Sequence, residues 1–275
     1  MGILPELDRI LAGLGYRVDI TGFLVLFGLV FARLVTVVAM APFFGGRGTP
    51  GNLKAGAAAI FAAILYPSVT AGQAAVPQGV AALALVVKEA LIGAILGLVA
   101  QLVFYAVQMA GILIDEQRGM NQFAFVAPQL PGNSSILGSL QFQASLVVFL
   151  AIDGHLFFIR ALRDSFSALP LTAFPHMAAG GLGMAQLLAR LSAETFVIAL
   201  ELSAPVMIAL VLVDACFGAI ARVAPQVHAH AESQPVKSLA GLAVLFLSLG
   251  FVMGRLLPAL EGLLRQVHEV VRTLG

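Results

Sequence analysis

One cysteine and no tryptophan in 275 residues set the first limits on this chain. Cys216 alone cannot close an internal disulfide or contribute to a thiolate metal cluster within the chain. In its apolar stretch, Leu210 to Ile220, it reads as a small buried hydrophobe. Charge is scarce as well. Only 11% of the residues are charged, against about 25% in soluble domains. Neither sign dominates, with 15 Lys and Arg against 14 Asp and Glu. No basic run offers a surface to nucleic acid. A nucleophile elbow, a Walker loop, an H-E-x-x-H pair and a dinucleotide fingerprint are all missing. The expectation is therefore a protein that is not an enzyme and uses no cofactor and no metal.

What remains is apolar. Sixty per cent of the side chains are hydrophobic and the mean hydropathy is +1.00. So short a chain has too little polar surface to cover a globule, and its apolar excess must face lipid or other apolar subunits. This predicts an all-α membrane protein folded as one helical body over 1–275.

Charge-free intervals locate the helices, since a span needs about 20 apolar residues. Such intervals are Ala55 to Val87, Ala90 to Ile114 and Gly119 to Ile152, with shorter ones at Leu34 to Gly46, Leu202 to Val213 and Ser238 to Gly254. They predict six long hydrophobic helices near 20–44, 53–71, 80–114, 135–163, 186–220 and 236–257. The first half is then 20–114, a break covers 115–132, the second half is 135–257, and an amphipathic tail covers 258–275. In that tail Leu260, Leu263, Leu264, Val267, Val270 and Val271 recur at helical spacing between charged residues. The start carries Glu6 and Asp8 instead of a basic n-region, so no cleavable signal peptide is expected. Lys and Arg are too thinly spread for the positive-inside rule to orient the chain.

The break reads GILIDEQRGMNQFAFVAPQLPG from Gly111 to Gly132. Non-helical backbone at membrane depth is tolerated only where it is buried in protein or lines an aqueous cavity. Asp115, Glu116 and Arg118 either form a carboxylate pair for proton transfer or leave the arginine neutralising an acid at a helix end. Met120, Phe123 and Phe125 either close a constriction by dewetting or simply pack a loop. Arg33 and the apolar-embedded charges Lys88, Glu89, Glu201 and Asp214 mark a pathway or fix which helix packs on which. His228, His230 and Glu232 resemble a metal cluster only superficially, and a solvated loop is the reading adopted for them. Gly93 and Gly97 form a G-x-x-x-G, a pattern that favours close helix contact.

Several stretches, taken in order, carry a resemblance. They are Arg33-Leu34 followed by Ala41-Pro42-Phe43-Phe44; Lys88-Glu89-Ala90-Leu91-Ile92-Gly93 with Leu96-Gly97; and Gly111 through Asp115-Glu116-Gln117-Arg118-Gly119. Further along come Gly154-His155, Pro170, Ala204-Pro205, Asp214, Arg222-Val223-Ala224-Pro225-Gln226 and Pro235-Val236-Lys237-Ser238. Over roughly Thr21 to Leu257 the chain is similar to the export-apparatus family that contains the flagellar protein FliR and its injectisome counterpart SctT. One departure is the polar Val-His-Ala-His-Ala-Glu-Ser-Gln between Gln226 and Pro235, where family members usually continue apolar.

The resemblance implies a pore-forming subunit of the type III secretion export gate in the bacterial inner membrane. Its implied partners are several copies of two smaller hydrophobic subunits, FliP/SctR-like and FliQ/SctS-like, a further export-apparatus membrane protein, and unfolded secreted proteins as cargo. In such an assembly much of the apolar surface is buried between subunits, raised toward the periplasmic side. The resemblance places the plug of the closed channel at Asp115, Glu116, Gln117, Arg118, Gly119, Met120, Phe123 and Phe125. It lets the turn from Arg222 to Gln226 order the last hairpin against neighbouring subunits, and packing between helices or subunits is expected of Arg33, Lys88, Glu89, Glu201, Asp214, Arg222, Pro225, Gln226, Pro235 and Lys237. The wording at 115–119 and 235–238 leans toward the injectisome branch. The alternative from another class is a small-solute secondary transporter, suggested by the broken segment and the intramembrane charges. A matching broken helix in the other half, which that class calls for, is missing.

Overall fold

The computed structural model describes residues 20–46, 48–70, 79–119, 135–174, 181–224 and 229–274. Among these residues there are eight α-helices. We number them α1 Ile20–Met40, α2 Gly51–Thr70, α3 Val80–Gln117, α4 Ile136–Ala151, α5 Gly154–Ala168, α6 Gly181–Val223, α7 Ala229–Leu247 and α8 Leu249–Leu274. A 3-10 turn at Pro42–Phe44 follows α1, with Gly45 in the left-handed region at φ 114° closing it. Proline suits such a start because its missing N–H would have no helical acceptor.

The all-helical membrane expectation holds. Among the described residues, four helices are long and apolar enough to cross a membrane, Thr21–Met40, Gly51–Thr70, Val80–Gln117 and Gly183–Val223. The number rises to six if each of two bent helix pairs, Ile136–Ala151 with Gly154–Ala168 and Glu232–Leu247 with Gly250–Arg272, is one span.

Several boundaries differ from the sequence reading. The single helix expected at 135–163 is broken at Ile152–Asp153, where Asp153 takes φ 56°. Aspartate is one of the few non-glycine residues that enter this region readily. Gly154 follows because a Cβ there would strike the Phe149 ring. The helix expected over 236–257 is instead divided near Ser248, and its second half continues into the tail as α8. The loop expected around His228 to Glu232 is in part helical, since α7 begins at Ala229. Pro235 lies inside α7, past the first turn where proline is most easily accommodated.

The chain forms two compact units. One comprises Met1–Gln101, His155–Leu187 and Arg265–Gly275, and the other comprises Leu102–Gly154 and Leu188–Leu264. In the first, α1 turns a stripe of Leu29, Val30, Leu34, Val37 and Val38 inward, with Arg33 on the same face. That face packs closely against α3. A Cβ on Gly93 would collide with Thr36 and the Arg33 carbonyl, and one on Gly97 with Met40. These two glycines are the ones the G-x-x-x-G pattern singles out.

In the second unit Ile114, Leu137, Val206 and Leu210 form a buried cluster, with Val244 and Leu245 packed against it. Here α3 and α4 approach backbone to backbone, because a Cβ on Gly111 would lie 2.5 Å from the Gly138 Cα. That approach brings the end of α3 beside the start of α4.

Candidate functional site

The last turn of α3 carries Asp115, Glu116 and Gln117. Arg118 and Gly119 follow, with Gly119 in the left-handed region at φ 74°. The helix therefore runs one turn further than the expected boundary at 114, and the acids sit on it.

Asp115 is buried and is the hub of the site. Its Oδ1 accepts from Arg118 Nη1 at 2.9 Å. Its Oδ2 accepts from the Ser135 hydroxyl at 2.7 Å and from the Leu137 backbone N–H at 2.9 Å. Ser135 in turn caps α4, its oxygen accepting from the Gly138 N–H at 2.7 Å. A carboxylate near a helix N-terminus is favourable, because the first-turn N–H groups have no intrahelical acceptors. One side chain thus fastens together residues on both sides of the interval 120–134.

Arg118 extends the clasp. Its Nη2 donates to the Ser238 hydroxyl of α7 at 3.0 Å. The guanidinium stem lies across Gly241, where a Cβ would come within 2.9 Å of Arg118 Cδ. Gln117 Nε2 donates to Asp214 Oδ2 of α6 at 3.2 Å. Asp214 also pairs with Lys237 of α7. The stretches Asp115 to Gly119 and Lys237-Ser238 are therefore in contact twice, once through Arg118 and once through Asp214. Neither contact was legible as a pair in the sequence. Ser135 was not singled out, and Ser238 only as the last residue of the Pro235-Val236-Lys237-Ser238 stretch, since serines this common carry no spacing signal.

The first unit holds a second buried charge cluster. Arg33 and Glu89 are fully buried and paired through Nε and Oε2. Arg33 also donates to the Ser165 hydroxyl at 3.1 Å and to the Leu169 carbonyl at 2.9 Å. Its guanidinium lies 4.1 Å from the Phe166 ring centroid. The planar fork of arginine suits this combination of ion pair, hydrogen bonds and stacking. Lys88 pairs with Glu89 Oε1 at 2.7 Å.

The other expected residues are placed as follows. Glu201 lies 3.7 Å from Arg255, with both side chains about half exposed. Glu116 and Arg222 are exposed. Pro235 is exposed on α7. Met120, Phe123, Phe125, Pro225, Gln226 and His228 lie outside the described residues, as does the side chain of His230. No group of three or more His, Cys, Asp or Glu among the described residues could hold a metal ion.

Long apolar helices, closely packed glycines and two buried ion clusters describe a helical membrane protein. Its relatives supply the system. The family model described as bacterial export proteins, family 1, matches residues 24–263. The chain belongs to this family. It is 30% identical over 250 residues to flagellar biosynthetic protein FliR of Bacillus subtilis, covering 90% of this chain and 93% of that protein. It is 28% identical over 239 residues to FliR of Escherichia coli, covering 87% and 88%. It is also 27% identical over 186 residues to Yop proteins translocation protein T of Yersinia pestis, covering 68% and 70%.

The chain is an export-gate component of the flagellar and type III secretion apparatus, a membrane protein with a structural role and not an enzyme. Flagellar and secretion-system relatives match at similar identity, so the match establishes the family and not the branch. Family membership also implies partners within the export gate and sets aside the small-solute transporter.

Proposed function

We propose that this subunit lines the export channel and closes it with the segment from Asp115 to Phe125, together with two smaller FliP-like and FliQ-like partners. Unfolded secreted proteins are the cargo. In this reading Asp115, Gln117 and Arg118 hold the base of the plug, and Met120, Phe123 and Phe125 exclude water from it. The observation that supports it is the Asp115 clasp. A single buried carboxylate joins Arg118 on one side of 120–134 to Ser135 and Leu137 on the other. A segment that must return to one closed position needs fixed ends, and these ends are fixed by charge-assisted hydrogen bonds.

The apolar faces left open by the chain are the surfaces offered to partners. Leu239 and Phe246 of α7 are 72% and 77% exposed, and Leu212 of α6 is 62% exposed. Such faces are stable against lipid or against other apolar helices.

The test is ion leakage through the assembled gate in cells. Phe123→Ala with Phe125→Ala is expected to raise leakage above wild type while assembly is retained. An assembled double variant as tight as wild type would remove these two rings from the seal.

A further inference from the structure

The Lys88 ammonium sits in a nest of four oxygens. Its Nζ donates to the backbone carbonyls of Pro170, Leu171 and Ala173 at 3.0, 2.9 and 2.8 Å. Glu89 Oε1 lies 2.7 Å away as the fourth. An ammonium has three N–H groups, and the three carbonyls use all of them. Glu89 Oε1 therefore serves chiefly as the counter-charge at 2.7 Å. Lys88 is only 7% exposed.

The surroundings are matched to a cation. Glu89 is shared between Arg33 and Lys88, so the Lys88 charge rests in good part on the three carbonyls. The three carbonyls belong to the turn that follows the C-terminus of α5, where the helix dipole presents partial negative charge. Backbone carbonyls converging on one point can replace the hydration shell of a monovalent ion. The spacings are longer than the roughly 2.3–2.6 Å of calcium or the about 2.0–2.1 Å of magnesium. They suit an ion of the size of ammonium or potassium.

We propose that this nest is a monovalent-cation site whose built-in occupant is the Lys88 ammonium, and that occupancy by a cation fixes the turn at 169–173. The Leu171 and Ala173 carbonyls would otherwise lack donors, while the carbonyl of the exposed Pro170 keeps the Ala173 N–H at 3.2 Å. The cation supplies them. Shortening Lys88 leaves the same oxygens around a vacant space that a free monovalent cation can enter.

The experiment uses the full chain in its assembled gate, solubilised from membranes. Thermal stability of wild type, Lys88→Ala and Lys88→Met is compared in ammonium, potassium, lithium and N-methylglucamine chlorides at equal ionic strength. Lys88→Ala is expected to lose several degrees of apparent Tm in lithium or N-methylglucamine and to recover at least half of that loss in ammonium or potassium. Lys88→Met fills the space without charge, so it is expected to lose as much and to recover nothing in any salt. A Lys88→Ala variant as stable as wild type, one indifferent to the cation, or a Lys88→Met variant that recovers equally would overturn the proposal. Amine acetylation of the wild-type assembly needs no variant. Lys88 is expected to stay unmodified while the half-exposed Lys54 reacts, and equal modification of both would overturn it too.

Discussion

Asp115 Oδ2 accepts the hydroxyl hydrogen of Ser135 at 2.7 Å, joining residues twenty positions apart at the end of α3 and the start of α4. The same carboxylate neutralises Arg118, and both side chains are more than nine-tenths buried.

Asp115→Ala leaves Arg118 buried without a counter-ion, a loss on the order of 3–5 kcal/mol for a buried pair broken from one side. Ser135→Ala removes one hydrogen bond and the α4 cap, about 1 kcal/mol each. Thermal melts of the two single variants and the double variant check this. The double variant is expected to be less damaged than the sum, because the two residues share one interaction.

Arg33→Lys is expected to behave as a damaging change. Lysine keeps the charge opposite Glu89 but cannot hold Ser165, Leu169 and the Phe166 face at once. Accumulation in membranes and Tm should both fall.

Glycine substitutions separate packing from propensity. Gly93→Ala puts a Cβ into the Arg33 carbonyl, and Gly111→Ala puts one into the Gly138 backbone. Both are expected to destabilise the chain. Gly28→Ala and Gly262→Ala meet nothing within 4 Å. Each should be neutral or stabilising by up to about 1 kcal/mol through helix propensity. Melting the four variants side by side gives the comparison.

Asp214 and Lys237 can be exchanged. Asp214 is 39% exposed at its side chain and Lys237 only 9%, so the pair is worth less than the Asp115 hub, about 1 kcal/mol. Lys237→Asp alone places like charges together and is expected to impair assembly. Adding Asp214→Lys should restore most of it, read as the amount of gate recovered from membranes.

Helix positions were legible in the sequence because charge-free runs leave the backbone no stable alternative in an apolar medium. Asp115 and Arg118 were readable as neighbours, since residues three apart share a helix face. The break at Ile152–Asp153 was missed because one long apolar run hides a bend. Asp153-Gly154 was the signal that could have found it. The partners of Arg33 and Glu89 were not legible, because they lie 56 residues apart and nothing local names them. Nor were the Lys88 acceptors. Every residue has a carbonyl, and only the turn after α5 decides which ones converge.

The central claim is that this chain works as one subunit of a multi-subunit export gate. The most direct measurement is affinity isolation of the tagged chain from gently solubilised native membranes, with mass spectrometry of the copurifying proteins. Two small hydrophobic proteins recovered in a fixed multi-copy ratio are the result expected. A folded, homogeneous chain recovered alone would contradict the account.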